Sequence, residues 1–108
     1  MSKMDKAKQD RLERAGWRSG DTSDFLGLSE QERAFVELKL ALANYLRELR
    51  TANAWTQAQV ARRLGSSQSR VAKMEAADGS VSVDLLVRSL FTLGASRTEV
   101  GNVIARAA

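Results

Sequence analysis

The sequence predicts an all-α fold of five helices, and three observations carry that expectation. Apolar residues recur at three- and four-residue steps through most of residues 29–108, and the chain has no proline to break such runs. Segments open on Ser or Thr followed three positions later by Glu or Gln. No strand pattern competes, since the longest alternating stretch, GSVSV, is brief and sits between helix signals.

The first helix starts at SEQE, a capping box in which the Ser29 side chain accepts from the Glu32 amide and Glu32 reaches back to the Ser29 amide. Phe35, Leu38, Leu42, Tyr45, Leu46 and Leu49 then form one apolar stripe about four turns long. Val36 and Leu40 widen that stripe, so this helix is expected to touch more than one neighbour. Thr56 and Gln59 form a second capping box, opening a short helix that stops at Gly65. Ser66 and Ser67 offer caps for a third helix running from Gln68 to about Ala77, and ADGS reads as a turn. Ser82 caps a fourth helix that buries Leu85, Leu86, Leu90 and Leu93 and closes at Gly94. SRTE, another capping box, opens a fifth that carries Val100, Val103, Ile104 and Ala107 at helical spacing.

Residues 1–28 read as an N-terminal extension to a domain of residues 29–108. Residues 2–15 are a charge-mixed helical candidate whose apolar anchors are Met4, Ala7, Leu12 and Ala15. GWRSGDTSDFLGLS reads as an ordered loop pinned by Trp17, Phe25 and Leu26. The run KMDKAKQDRLER suits a solvated helix face, or alternatively an arm crossing DNA phosphates.

With 108 residues the chain suffices for one domain and a modest core. Lys and Arg total 17 against 13 Asp and Glu, a net charge of +4 that is compatible with nucleic acid, an acidic protein or a membrane surface. Absence of cysteine removes disulfides and thiolate metal sites, and absence of histidine removes the commonest general base and metal ligand. No Walker loop, dinucleotide fingerprint, HExxH or nucleophile elbow occurs, and Glu30 and Glu32 are accounted for by capping. The expectation is therefore a non-enzymatic protein without cofactor or metal. No signal-peptide core and no apolar run of about 20 residues is present, so a soluble cytoplasmic location is expected, with no membrane partner.

TQAQVARRLGSSQSRVAKME, residues 56–75, is the most informative stretch. It holds four positive charges and no acid before Glu75. Ala61 supplies the small residue that a close helix crossing needs, and Gly65 the left-handed backbone position of a tight turn. Val60, Leu64, Val71 and Met74 point into a core, leaving Gln57, Arg62, Arg63, Gln68, Ser69, Arg70 and Lys73 outside. Such a surface either is merely solvated or belongs to a DNA-binding helix-turn-helix. The outward residues of the second helix start at its N-terminal end, where a recognition helix enters the major groove. Gln suits adenine, Arg and Lys suit guanine, and Ser fits several bases or a phosphate. Trp17, Trp55 and Phe25 are each suited to stacking on bases or to a protein partner, although Trp55, just before the Thr56 cap, holds the place of a hydrophobic staple.

TQAQVARRLGSSQSRVAKMEAAD resembles the helix-turn-helix of the XRE family of lambda repressor-like proteins and related antitoxins, and SVDLLVRSLFTLGAS is similar to that family's fourth helix. The resemblance implies a five-helix lambda repressor-like DNA-binding domain. It implies base reading by Gln68, Ser69 and Lys73, with Arg70 available for base or phosphate, and a backbone contact at Gln57 that braces Gln68. It also implies a structural pair of Arg50 and Glu75. FLGLSEQERAFVELKLALANYLRELR resembles the long first helix of HigA-type antitoxins, whose partners are RelE-like toxins. Phosphates would be met by Gln57, Arg62, Arg63, Ser66 and Ser67. The expected function is a sequence-specific repressor that binds a palindromic duplex operator as a homodimer, with Val100, Val103 and Ile104 as the dimer seam. An autoregulating antitoxin, a stand-alone regulator of phage or cellular origin, and a protein-interaction domain without DNA binding all remain open.

Overall fold

In the computed structural model, residues 29–107 are described, and the expectations for residues 1–28 lie outside that range. Five α-helices and no strands occur among the described residues: α1 (Glu30–Ala52), α2 (Gln57–Leu64), α3 (Gln68–Glu75), α4 (Val83–Thr92) and α5 (Arg97–Arg106). The described residues divide between two units, one ending at Val36 and the other beginning at Glu37. The described part of the first unit is the opening of α1. There the Ser29 amide donates to Glu32 Oε1 (3.0 Å) and the Glu32 amide to Ser29 Oγ (3.1 Å).

The second unit holds the core. Leu42 and Leu46 of α1, Val60 and Ala61 of α2, Val71 and Met74 of α3, and Leu86 and Leu90 of α4 are buried together with Val100 and Val103 of α5. Burial of each large aliphatic side chain contributes about 1.5–3 kcal/mol, so the folded state rests on these contacts far more than on the intrinsic preference of eight- to ten-residue helices. Ser89, the polar residue buried beside them, donates its hydroxyl to Met74 Sδ at 3.6 Å.

Three expectations need correction. Val100 and Val103 are core residues of this chain and cannot form a dimer seam; Ile104, 39% exposed, alone of that trio faces outward. Phe35 of the apolar stripe of α1, and Val36 and Leu40, expected to widen it toward further neighbours, are exposed, with Phe35 at 55%. α3 ends at Glu75, short of Ala77.

That early end has a backbone cause. Ala77 adopts a left-handed conformation (φ 53°), and the Asp78 amide turns back to the Lys73 carbonyl at 2.9 Å. The same closure recurs after α1, where Ala54 (φ 56°) lets the Trp55 amide reach the Arg50 carbonyl at 3.0 Å. Glycine adopts this conformation without strain, whereas a Cβ costs about 1 kcal/mol. Ala54→Gly and Ala77→Gly are each expected to stabilise the protein by about 1 kcal/mol, read as a higher urea midpoint at constant m-value. Unchanged midpoints would show that the surroundings already absorb the strain.

Beyond Ala77, the Asp78 carboxylate accepts from the Ser80 amide (2.9 Å) and hydroxyl (2.6 Å). These bonds, the hydroxyl's first, hold the Asp78 carboxyl below its ordinary range. Lys39 of α1 donates to the Asp78 carbonyl at 3.0 Å and ties this turn to the long helix.

Candidate nucleic-acid interface

α2 and α3 pack closely on each other, and local sequence fixes how they meet. Thr56 caps α2 with a reciprocal pair: the Gln59 amide donates to Thr56 Oγ1 (3.0 Å) and the Thr56 amide to Gln59 Oε1 (2.8 Å). Gly65 (φ 64°, ψ 38°) closes α2, and the Ser66 amide returns to the Ala61 carbonyl at 2.8 Å. Ser67 then caps α3, its hydroxyl accepting from the Arg70 amide at 3.2 Å and lying 3.3 Å from Ser69 Oγ. The turn between the helices is thus the three residues Gly65, Ser66 and Ser67, with Ser66 half-buried.

A polar lock sets the far end of α3. Arg50 donates from Nε to Glu75 Oε2 and from Nη2 to Glu75 Oε1 (3.0 Å), and its Nη1 donates to the Trp55 carbonyl (3.1 Å). Gln57 Nε2 adds a further bond to Glu75 Oε1 at 3.1 Å. The two charged side chains are only 16% and 7% exposed, and the Glu75 hydrogen bond holds the Arg50 guanidinium more firmly protonated than usual. One carboxylate therefore joins the end of α1, the start of α2 and the end of α3. The Gln57 amide donates to Glu75 rather than bracing Gln68, which leaves its carbonyl oxygen and second N–H for other partners.

The opposite face of α3 is polar. At about 100° per residue, buried Val71 and Met74 define the inner side, so Ser69 and Lys73 share the outward line with Gln68 and Arg70 on its flanks. All four are exposed. Arg70 and Lys73 also border an open cleft lined by Ser67, Ser69, Ser80 and Val81, which places Arg70 toward the turn that follows α3. Arg62 is exposed on α2, and the Arg63 guanidinium stacks over the Trp55 ring, 4.2 Å from its centroid. The one acid of residues 56–75, Glu75, is committed to Arg50, so the outward face of α2 and α3 carries four cations and no carboxylate.

A family model for the helix-turn-helix domain matches residues 41–102, from the middle of α1 into α5. The chain belongs to the helix-turn-helix domain family. No curated protein and no solved structure matches it. Within this helix-turn-helix domain α2 and α3 are the motif's two helices, and α1, α4 and α5 supply the core beneath them. No helix among the described residues is long and apolar enough to cross a membrane.

Two site features escaped the sequence. The Gln57–Glu75 bond joins residues that only the fold brings together. The Arg63–Trp55 stack had a faint signal, an aromatic just ahead of the Thr56 cap and a cation near the end of the helix it opens, but residue types alone do not distinguish it from the staple position Trp55 also occupies.

Proposed function

We propose that the protein is a sequence-specific DNA-binding transcriptional repressor. One observation carries this: α3 exposes Ser69 and Lys73 on its outward line and Gln68 on the flank, on a helix whose other side is fixed by the core and by the Arg50–Glu75 lock. A rigid helix with unburied amide, hydroxyl and ammonium groups at its N-terminal half has the chemistry of base-edge readout. Gln68, Ser69 and Lys73 would read bases. Arg70 lies on the flank nearer the cleft and would take a base or a phosphate. Gln57, Arg62, Arg63, Ser66 and Ser67 would meet the backbone, fixing register without reading sequence.

Binding as a homodimer follows from scale, because one recognition helix reads only a few base pairs and a two-fold site admits two helices in successive major grooves about 34 Å apart. With Val100 and Val103 in the core, Ile104 is the seam residue that remains on the surface. A narrower role, an antitoxin that represses its own operon and neutralises a RelE-like toxin, rests on the resemblance of residues 25–50 to HigA-type antitoxins. A RelE-like reading frame beside the gene would favour it over a stand-alone regulator.

Selection of bound duplexes from a random library tests the main proposal. The expected result is a palindromic consensus with half-site centres one helical turn apart. Recovery of no sequence above the starting pool would refute sequence-specific binding.

A further inference from the structure

The Arg63–Trp55 stack has more than a packing role. Its guanidinium carbon lies over the ring, 4.2 Å from the centroid, and a ring face takes up none of the five N–H donors as a carboxylate would. Neither ion pair within the described residues involves Arg63. The platform beneath it is held firmly: the Trp55 amide donates to the Arg50 carbonyl (3.0 Å), the Trp55 carbonyl accepts from Arg50 Nη1 (3.1 Å), and the ring packs half-buried against the core. Arg63 sits near the C-terminal end of α2, yet the contact carries its charge back to the ring of Trp55, the residue before the Thr56 cap.

We infer that Trp55 is the positioning residue of a phosphate clamp. It holds the Arg63 fork ready to meet two non-bridging oxygens of one DNA phosphate. An unrestrained arginine must give up rotamer freedom on contact, whereas a stacked one has already done so. The clamp rests on the proposed DNA binding, but backbone contacts are blind to sequence, so it can be tested on any duplex.

The test is a double-mutant cycle in the full chain, with affinity measured by fluorescence anisotropy against a selected operator and a scrambled duplex over a salt series. Arg63→Ala is expected to weaken both duplexes about ten-fold and to reduce the slope of log affinity against log salt by about one. Trp55→Leu should weaken both about three-fold while leaving the slope intact, because the phosphate contact still forms from a less ordered arginine. Trp55→Phe, which keeps an aromatic face, should recover most of that loss. Trp55→Leu added to Arg63→Ala should cost nothing further. Thermal unfolding of each variant identifies any loss due to unfolding, and Trp55→Met, also without an aromatic face, then stands in for a poorly folded Trp55→Leu. Independent, multiplying effects of the two substitutions, or an unchanged slope for Arg63→Ala, would overturn the clamp while duplex binding stood. If the unaltered protein bound no duplex, the proposed function and the clamp would fall together.

Discussion

Arg50→Met is expected to destabilise the domain by about 3 kcal/mol and to lower its melting midpoint by about 15 °C. Glu75 is 7% exposed, and without Arg50 its carboxylate would keep only the Gln57 amide among the bonds described above. A charge so enclosed and left without its counterion costs far more than the pair itself contributes. The protein holds its own control in Arg88–Asp84, an i,i+4 pair on α4 with both side chains more than 70% exposed. Asp84→Ala should change stability by no more than about 0.5 kcal/mol. Arg50→Met combined with Glu75→Leu should recover part of the loss, since two apolar side chains leave no enclosed charge. Denaturant unfolding at fixed m-value reads all three. Equal effects at the two ion pairs would show that burial of Glu75 has no energetic consequence.

Gln68→Ala is expected to lower discrimination between operator and scrambled duplex by about 1–3 kcal/mol, at one base pair in each half-site. Gln68 is exposed at the first position of α3, and the Ser67 cap does not use its side chain, so folding stability should barely move. That separates it from Arg50→Met, which acts on the scaffold. Repeating the duplex selection with the variant gives the direct readout: one position per half-site should lose its preference while the others persist. An unchanged ratio of affinities would remove Gln68 from base reading.

Local signals carried far into the structure. Ser29, Thr56, Ser82 and Ser96 each open a helix where the sequence places it, because a cap depends on atoms three residues apart. Gly65 and Gly94 close helices for an equally local reason, a left-handed backbone that a Cβ disfavours. The same reasoning missed Ala54 and Ala77, alanines that adopt that conformation where the next amide closes on the Arg50 or the Lys73 carbonyl. It also misplaced Val100 and Val103, since a valine on an amphipathic helix looks the same whether its cover is the core of its own chain or a second copy. Within the site, exposure of Gln68, Ser69, Arg70 and Lys73 was legible from helical period alone. Arg50 and Glu75 came from family resemblance, and the Gln57–Glu75 bond and the Arg63–Trp55 stack came from neither, because the bond depends on how distant segments fold together and the stack on the rotamers of two residues at the ends of one short helix.

The division of labour around α3 bears on how such a protein could change its target. Val71, Met74 and Glu75 fasten the helix to the rest of the molecule, whereas the side chains of Gln68 and Lys73 contribute no bond described above to the scaffold. Under the proposed base-reading role, exchanging those two would redirect the protein to a different duplex site at little risk to folding, so that descendants of one ancestral chain would diverge in target while keeping the same frame.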